Sequence, residues 1–443
     1  MKSSVDITTA RVFAIAGPAM LANLTTPLIG IVATSAVGRL GTAALLGGVA
    51  MASIAFDCLF WLFSFLRLGT VAFTAQALGA GHEKEVRAVL ARALIMSAAI
   101  GLVLLALQRP LAALIFDLMG GSDAVRSVAR LYFFIRMWST PFALANYALL
   151  GWFVGQAKVR TALAIQIAVN LINITATVML VTVFDRGVAG AALAAVIAEA
   201  AGCLIGLLAV SALGGLDLKG VVVFDRHKVL RLMSVNRDIM IRTASLIAAF
   251  LFFTSQGARA GEITLAANAV LNNFILIGSF FLDGLANAAE QLCGQSFGAR
   301  DAAGFGRTTR LVSGWAFGFG LALTVIFLFA GRGLIDVMAV NADVRSTACD
   351  YLPFAALAPV CAVMAYCFDG IYIGATWARD MRNLMIAAFA TYLVAWYFLQ
   401  DLGNRGLWIA LLVFLVSRGL YQAVRFPELA RRSFSAANAE QTS

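Results

Sequence analysis

The feature that most constrains this chain is a series of apolar runs, each about 18 residues or longer, that recur from end to end. A run of that length with few charges is long enough to cross a bilayer as a helix. Lipid offers no hydrogen-bond partners, so each run must be a helix or part of a closed barrel, and these runs are too long for barrel strands. Composition agrees: 61% of the residues are hydrophobic and 13% are charged, where a soluble chain carries about a quarter charged. Disorder, an ordinary soluble enzyme and a secreted disulfide scaffold are excluded. The six cysteines (Cys58, Cys203, Cys293, Cys349, Cys361 and Cys367) lack metal-ligand spacing and read as free thiols. The polar start, MKSSVDITTAR, precedes an apolar stretch without a convincing cleavage site, which reads as a retained first span.

Twelve helices are expected, at 12–37, 45–79, 88–108, 126–155, 160–183, 188–212, 234–257, 262–297, 310–331, 343–375, 381–400 and 405–425. The chain also repeats itself at an offset of 219 residues. Tyr132, Ala143, Tyr147, Gly151, Gly155 and Arg160 return as Tyr351, Ala362, Tyr366, Gly370, Gly374 and Arg379. Gln76, Gly79 and Ala80 return as Gln295, Gly298 and Ala299. The expected fold is therefore an all-α polytopic membrane protein of two pseudo-symmetric six-helix lobes. Six is even, so the repeat is parallel and a substrate site is expected between the halves. The expected division is an N-lobe over 1–212, an inter-lobe linker over 213–233, a C-lobe over 234–425 and a tail over 426–443.

The net charge of +10 needs no nucleic acid partner, because basic cytoplasmic loops account for it. With the N-terminus inside, 21 of the 33 Lys and Arg residues fall on the cytoplasmic side and nine outside; Arg67, Arg136 and Arg418 fall within spans. The bias places both termini in the cytoplasm. The linker carries Lys219, Arg226, His227, Lys228 and Arg231, a solvated or headgroup-facing cluster.

A charge near the bilayer centre costs about 2.5–3.5 kcal/mol on insertion scales, so each one asks for a function. Asn268, Asn272, Ser279, Asp283, Asn287 and Glu290 fall within an arc of about 100° on the eighth span. Two acids on that face fit a water-filled cavity better than a polar packing seam. Gln166, Asn170, Asn173 and Thr177 form a milder, uncharged stripe on the fifth span, equally readable as seam or cavity wall. Asp57 and Arg67 lie on the second span, too far apart to pair. Asp369, flanked by Tyr366 and Tyr372, has no base near it in sequence; an unpaired acid there suits proton or cation exchange, unless a helix break beside Gly370 and Gly374 supplies backbone donors. Glu199 and Arg418 are mates at the 219 offset and could anchor the sixth helix of each lobe. His82 and His227 sit in expected loops, and no nucleotide-binding loop is present. An ion gradient is the remaining energy source.

Several stretches carry a family resemblance. Asn236-Arg237-Asp238, GARAGEITLAANAVL (257–271), FFLDGLANAAEQLCGQSFGARD (280–301) and FDGIYIGATWARDMRN (368–383) resemble the multidrug and toxic compound extrusion (MATE) family, in its DNA-damage-inducible protein F (DinF-like) branch. WLFSFLRLGTVAFTAQALGAG (61–81) and ANYALLGWFVGQAKVRT (145–161) fit the same branch. The resemblance implies twelve helices in two lobes and export of organic compounds against inward protons or sodium. It also implies that Asp283, Glu290, Asp369 and Arg67 match residues usual in the branch. Two acids usual in the N-lobe are missing, with Ala33 and Thr177 in their places. The reading is a secondary antiporter in a bacterial inner membrane, monomeric and not an enzyme. It needs no cofactor, metal or nucleic acid; its coupling ion is H+ or Na+, with sodium possible at the C-lobe acids. The small organic substrate and the lipid bilayer are its partners. The cation-coupling candidates are Asp369, Asp283 and Glu290. The cavity candidates are Asn268, Asn272, Asn287, Tyr366, Arg67, Asp57, Gln166, Asn170, Asn173 and Thr177. Two alternatives share the fold: a flippase for an amphiphilic lipid-linked molecule, favoured by a lateral opening lined with Arg67 and Arg418, and a coupling-deficient facilitator or binding protein.

Overall fold

The structure is a computed structural model that describes residues 7–38 and 43–439, with the side chains of 26–38, 43 and 436–439 outside the description. Ala33 falls among those side chains. The described residues form helices and short connections, with no strand among them. Among the described residues ten helices are long and apolar enough to cross a membrane, counting α2 (Ala43–Leu62) and α3 (Phe65–Gly79) as one. Helix α1 (Thr9–Gly38), and α6 (Asp123–Arg136) continued by α7 (Thr140–Gly155), lie where the sequence leads to the other two expected spans, 12–37 and 126–155.

Several expected spans are interrupted, each for a local reason. The second breaks at Phe63–Ser64, where Ser64 N–H donates to Trp61 O (3.1 Å) and Leu66 N–H to Phe63 O (3.1 Å). That tighter i−3 pattern offsets α2 from α3. The fourth span breaks at a 3-10 turn over Met137–Ser139, just before Pro141, which has no N–H to continue the ladder. The third span is α4 (Glu83–Ala106), followed by a 12-residue α5 (Gln108–Met119) that the sequence reading leaves as a loop. The fifth is α8 (Val159–Val178), which loosens into a π-turn over Met179–Val183. Helix α9 (Gly187–Ala212) completes the first half.

The second half runs α10 (Arg226–Arg259), α11 (Glu262–Gly298), α12 (Ala302–Met338), α13 (Ala342–Gly374), α14 (Ala378–Leu399) and α15 (Asn404–Ala439). His227 thus lies in the first turn of α10 rather than in a loop. Helix α13 continues through Pro353 and Pro359 to Gly374, so no break accompanies Gly370. Helix α15 continues past 425, and Trp377 Nε1 donates to its Ser433 Oγ at 3.2 Å.

The duplication is visible in the element boundaries. Helices α4 and α5 span 83–119 and α12 spans 302–338; α6 and α7 span 123–155 and α13 spans 342–374. Each pair is displaced by the same offset as the sequence repeat. Left-handed residues at helix ends also recur as mates: Gly81 (φ 75°) with Arg300 (φ 56°), and Ala157 (φ 60°) with Thr376 (φ 56°). Two glycines hold matching seams. A Cβ on Gly151 would lie 2.5 Å from the Arg67 carbonyl oxygen, and one on Gly370 would lie 2.4 Å from the Ala286 carbonyl oxygen. Arg67 and Ala286 are themselves mates, so α3 against α7 and α11 against α13 make the same close backbone approach.

By contacts the chain forms two compact units: Met1–Met20, Gly79–Gly81 and Ser234–Ser443 in one, Leu21–Leu78 and His82–Met233 in the other. In the first, α13 is the central helix, packed by α11, α12 and α15. Its last turns, from Cys367 through Gly374, are buried throughout. In the second, α9 packs on α6, α7 and α8, around Leu149, Trp152, Phe153 and Val169.

Candidate functional site

Each unit carries a set of polar and charged side chains inside its spans, centred on one of the mated tyrosines. In the unit built on 234–443 the centre is Asp369 on α13, 5% exposed. Both Arg242 on α10 and Arg418 on α15 donate to its Oδ2. Gln422 Nε2 donates to its Oδ1 at 2.8 Å. The expectation of an unpaired Asp369 is therefore corrected: two guanidiniums and an amide hold it. The partners are 127, 49 and 53 residues away in sequence, which is why a search of its neighbours finds no base. The Arg418 guanidinium carbon also lies 5.5 Å from the centre of the Tyr366 ring. The Tyr366 hydroxyl is 2.5 Å from Ser279 Oγ on α11. Asp283, one turn further along α11, is close enough to act electrostatically on both Tyr366 and Arg418.

The α11 stripe does not face one environment. Asn268 is buried in a closed network: it exchanges amide bonds with Asn404 (2.8 and 3.0 Å) and accepts from Trp408 Nε1 at 2.9 Å. This is the polar packing seam, between α11 and α15. Asn272 is exposed, Asp283 is half-buried, and Asn287 and Glu290 are buried. A helix of 37 residues is about 55 Å long, so one stripe meets different neighbours along its length.

In the unit built on 21–233, Tyr147 lies within electrostatic reach of Glu199, Arg67, Asp57 and Arg136. Asn146 Nδ2 donates to Glu199 Oε2 at 2.7 Å and to the Glu199 carbonyl at 3.0 Å. Arg136 stacks over Phe56 (4.7 Å) and donates to the Tyr132 hydroxyl at 3.2 Å. Two acids and two bases thus act on Tyr147. Glu199 and Arg418 each tie the last helix of a half to its fourth span, through Asn146 and Asp369. The counterparts of Asp369 and Arg242 in this unit are Leu150 and Asn23. The two halves keep the tyrosine and change the charges.

The α8 stripe bonds largely to itself. Gln166 donates to Asn170 (3.2 Å), Asn170 donates to Thr25 Oγ1 on α1 (2.8 Å), and Thr177 donates to Asn173 (3.5 Å). Asp57 is exposed. The functional residues that sequence reasoning missed are Arg242 and Gln422. Arg242 sits inside the expected span 234–257 yet is counted with the cytoplasmic bases, and its depth there was the signal. Gln422 gave none.

Long apolar helices in two homologous halves, with charged side chains buried in the spans, define a polytopic membrane protein. Residues 18–179 and 239–398 each match the MatE family model, one match in each half. The chain is 38% identical over 408 residues to the DNA damage-inducible protein F of Escherichia coli (strain K12), covering 91% of this chain and 88% of that one. It is 26% identical to the chloroplastic protein DETOXIFICATION 44 of Arabidopsis thaliana, over 92% of this chain and 80% of that one. A solved multidrug resistance MATE family transporter of the MOP superfamily superposes with a TM-score of 0.87 at 19% identity, covering 96% of each chain. A MOP superfamily transporter from Pyrococcus furiosus superposes at 0.86 and 18% identity, over 96% of each. This chain belongs to the MatE family of membrane transporters.

Proposed function

We propose that the protein exports small organic compounds from the cytoplasm by alternating access, driven by inward protons or sodium. The observation that supports this reading is the pair of charge clusters around Tyr147 and Tyr366. Ionised groups inside spans are costly, and a packing role alone needs none of them. The reading places the protein in a bacterial inner membrane as a monomer, with both termini cytoplasmic. Coupling falls to the C-terminal half, where Asp283, Glu290 and Asp369 lie. Two guanidiniums already neutralise Asp369, so Asp283 and Glu290 are the first candidates for the travelling ion. Asp369 would take one up only when an arginine leaves it. Coupling and transport then act on one equilibrium, because ion and substrate each favour one of two conformations. The flippase alternative keeps only one of its two arginines: Arg418 is 3% exposed and committed to Asp369, while Arg67 is half-buried.

The test is transport in proteoliposomes with imposed proton or sodium gradients. Gradient-driven transport is expected, reduced in Asp283→Asn and Glu290→Gln while the protein remains monodisperse. Transport indifferent to both gradients would support a facilitator and overturn the coupling assignment.

A further inference from the structure

We infer that Arg242 and Arg418 form a carboxylate-binding subsite that Asp369 fills when no substrate is present, so that the transported compounds include organic anions. The inference rests on the transporter reading and names a substrate class for it. Both guanidiniums converge on a single carboxylate oxygen, and their side chains are 8% and 3% exposed. Each guanidinium has five N–H donors in a planar fork suited to a carboxylate. Asp369 does not use the set up. The Nε–H of Arg242, the Nε–H of Arg418 and the Gln422 Oε1 are buried without a hydrogen-bond partner. A pair of arginines that served only to tie α10, α13 and α15 together would be expected to spend its donors, since an unmet buried donor is costly. Here the donor set exceeds what one Asp can accept.

The surroundings fit the same ligand. The Tyr366 ring lies against Arg418 and presents an apolar face beside the cationic fork. An aromatic or aliphatic body joined to a carboxylate would meet both. Asp283 balances the local charge to two acids and two bases, so an incoming anion competes with Asp369 for the arginines rather than simply joining it. That competition fixes the sign of the test. If the site takes anions, removing the Asp369 charge frees the arginines and tightens binding. If the site takes cations at Asp369, the same change abolishes binding.

The experiment titrates benzoate, with benzylammonium as a size-matched cation, into the detergent-solubilised full chain by calorimetry. Benzoate should bind saturably, roughly 10- to 100-fold more tightly to Asp369→Asn, and at least about 10-fold more weakly to Arg242→Gln and Arg418→Gln, the range expected for hydrogen bonds to charged groups. Gln422→Met keeps all three charges and removes only the amide that holds Asp369. It should tighten benzoate binding about 2- to 5-fold, and it covers the case in which Asp369→Asn fails to fold. Benzylammonium binding that Asp369→Asn abolishes would overturn the inference, as would weaker benzoate binding in Gln422→Met or no saturable benzoate binding in a monodisperse Asp369→Asn protein. Benzoate binding without gradient-driven transport would count against the proposed coupling and leave the subsite standing. Transport of cations without benzoate binding would do the reverse.

Discussion

The connection between the halves should loosen on substitution of a single buried arginine. Arg92 on α4 is 6% exposed. Its Nε donates to Val223 O at 2.7 Å, one terminal nitrogen to Val222 O at 2.9 Å, and the other to Glu85 Oε1 at 2.6 Å. Glu85 Oε2 in turn accepts from Lys228 Nζ at 2.7 Å. The guanidinium thus straps residues 222–223 and, through Glu85, the first turn of α10 onto α4. Arg92→Gln removes three charge-assisted bonds, each worth about 1.5–3 kcal/mol when its partner cannot rehydrate. Val222 is exposed and Val223 half-buried, so their carbonyls recover most of that from water. A net loss of about 2–3 kcal/mol for local opening is the reasonable value. At 1.4 kcal/mol per tenfold, hydrogen exchange of the amides near Val221, whose N–H now donates to Leu218 O at 3.1 Å, should speed up roughly 30- to 140-fold. Limited proteolysis within 213–225 should follow the same order. Lys228 has a half-exposed side chain, and Lys228→Gln should change exchange less than about fivefold. Exchange that rises less than threefold in Arg92→Gln, or equally in Lys228→Gln, would refute the strap.

The glycine seams predict matched damage: Gly151→Ala and Gly370→Ala should each lower thermal stability in detergent by about 1–3 kcal/mol through overpacking. Gly306→Ala, where a Cβ meets nothing within 4 Å, should be neutral or gain up to about 1 kcal/mol; equal effects at all three sites would discard the seam argument. Asn404→Leu strips the amide exchange from Asn268 and should destabilise by about 1–3 kcal/mol, read as a lower melting temperature, and no change would mean the network is not what holds α11 to α15. Asp225 immediately precedes α10, and the Lys228 backbone N–H, then that of His227, lowers its pKa below the ordinary 3.8. A carboxyl with a depressed folded pKa stabilises fully above its unfolded pKa and loses that contribution as pH falls through the folded one. The amides of His227 and Lys228 should therefore exchange faster, beyond the intrinsic pH effect, only below about pH 4; loosening near neutral pH would contradict the cap.

The sequence by itself determined what a bilayer enforces. Backbone groups in lipid must bond within their own helix, so apolar length alone located a helix at every span from 160–183 to 405–425, although α10, α12 and α15 run beyond the expected 234–257, 310–331 and 405–425 by 8 to 14 residues at one end. The repeat was equally legible, because Tyr147 and Tyr366, or Gly151 and Gly370, are preserved residue for residue. The breaks at Ser64 and Pro141 were harder to read, because a span can bend without losing its apolar length. The charge pairing belonged to the tertiary structure alone. Arg242 and Asp369 are 127 residues apart, and a carboxylate in a membrane takes its partner from whichever helix packs against it, not from its own sequence neighbours. For the same reason the stripe from Asn268 to Glu290 read as one face, while packing gave Asn268 to a closed seam and Asp283 to Tyr366 and Arg418. Which helix meets which is decided by side-chain fit along whole lengths of helix, and no single helix carries that information.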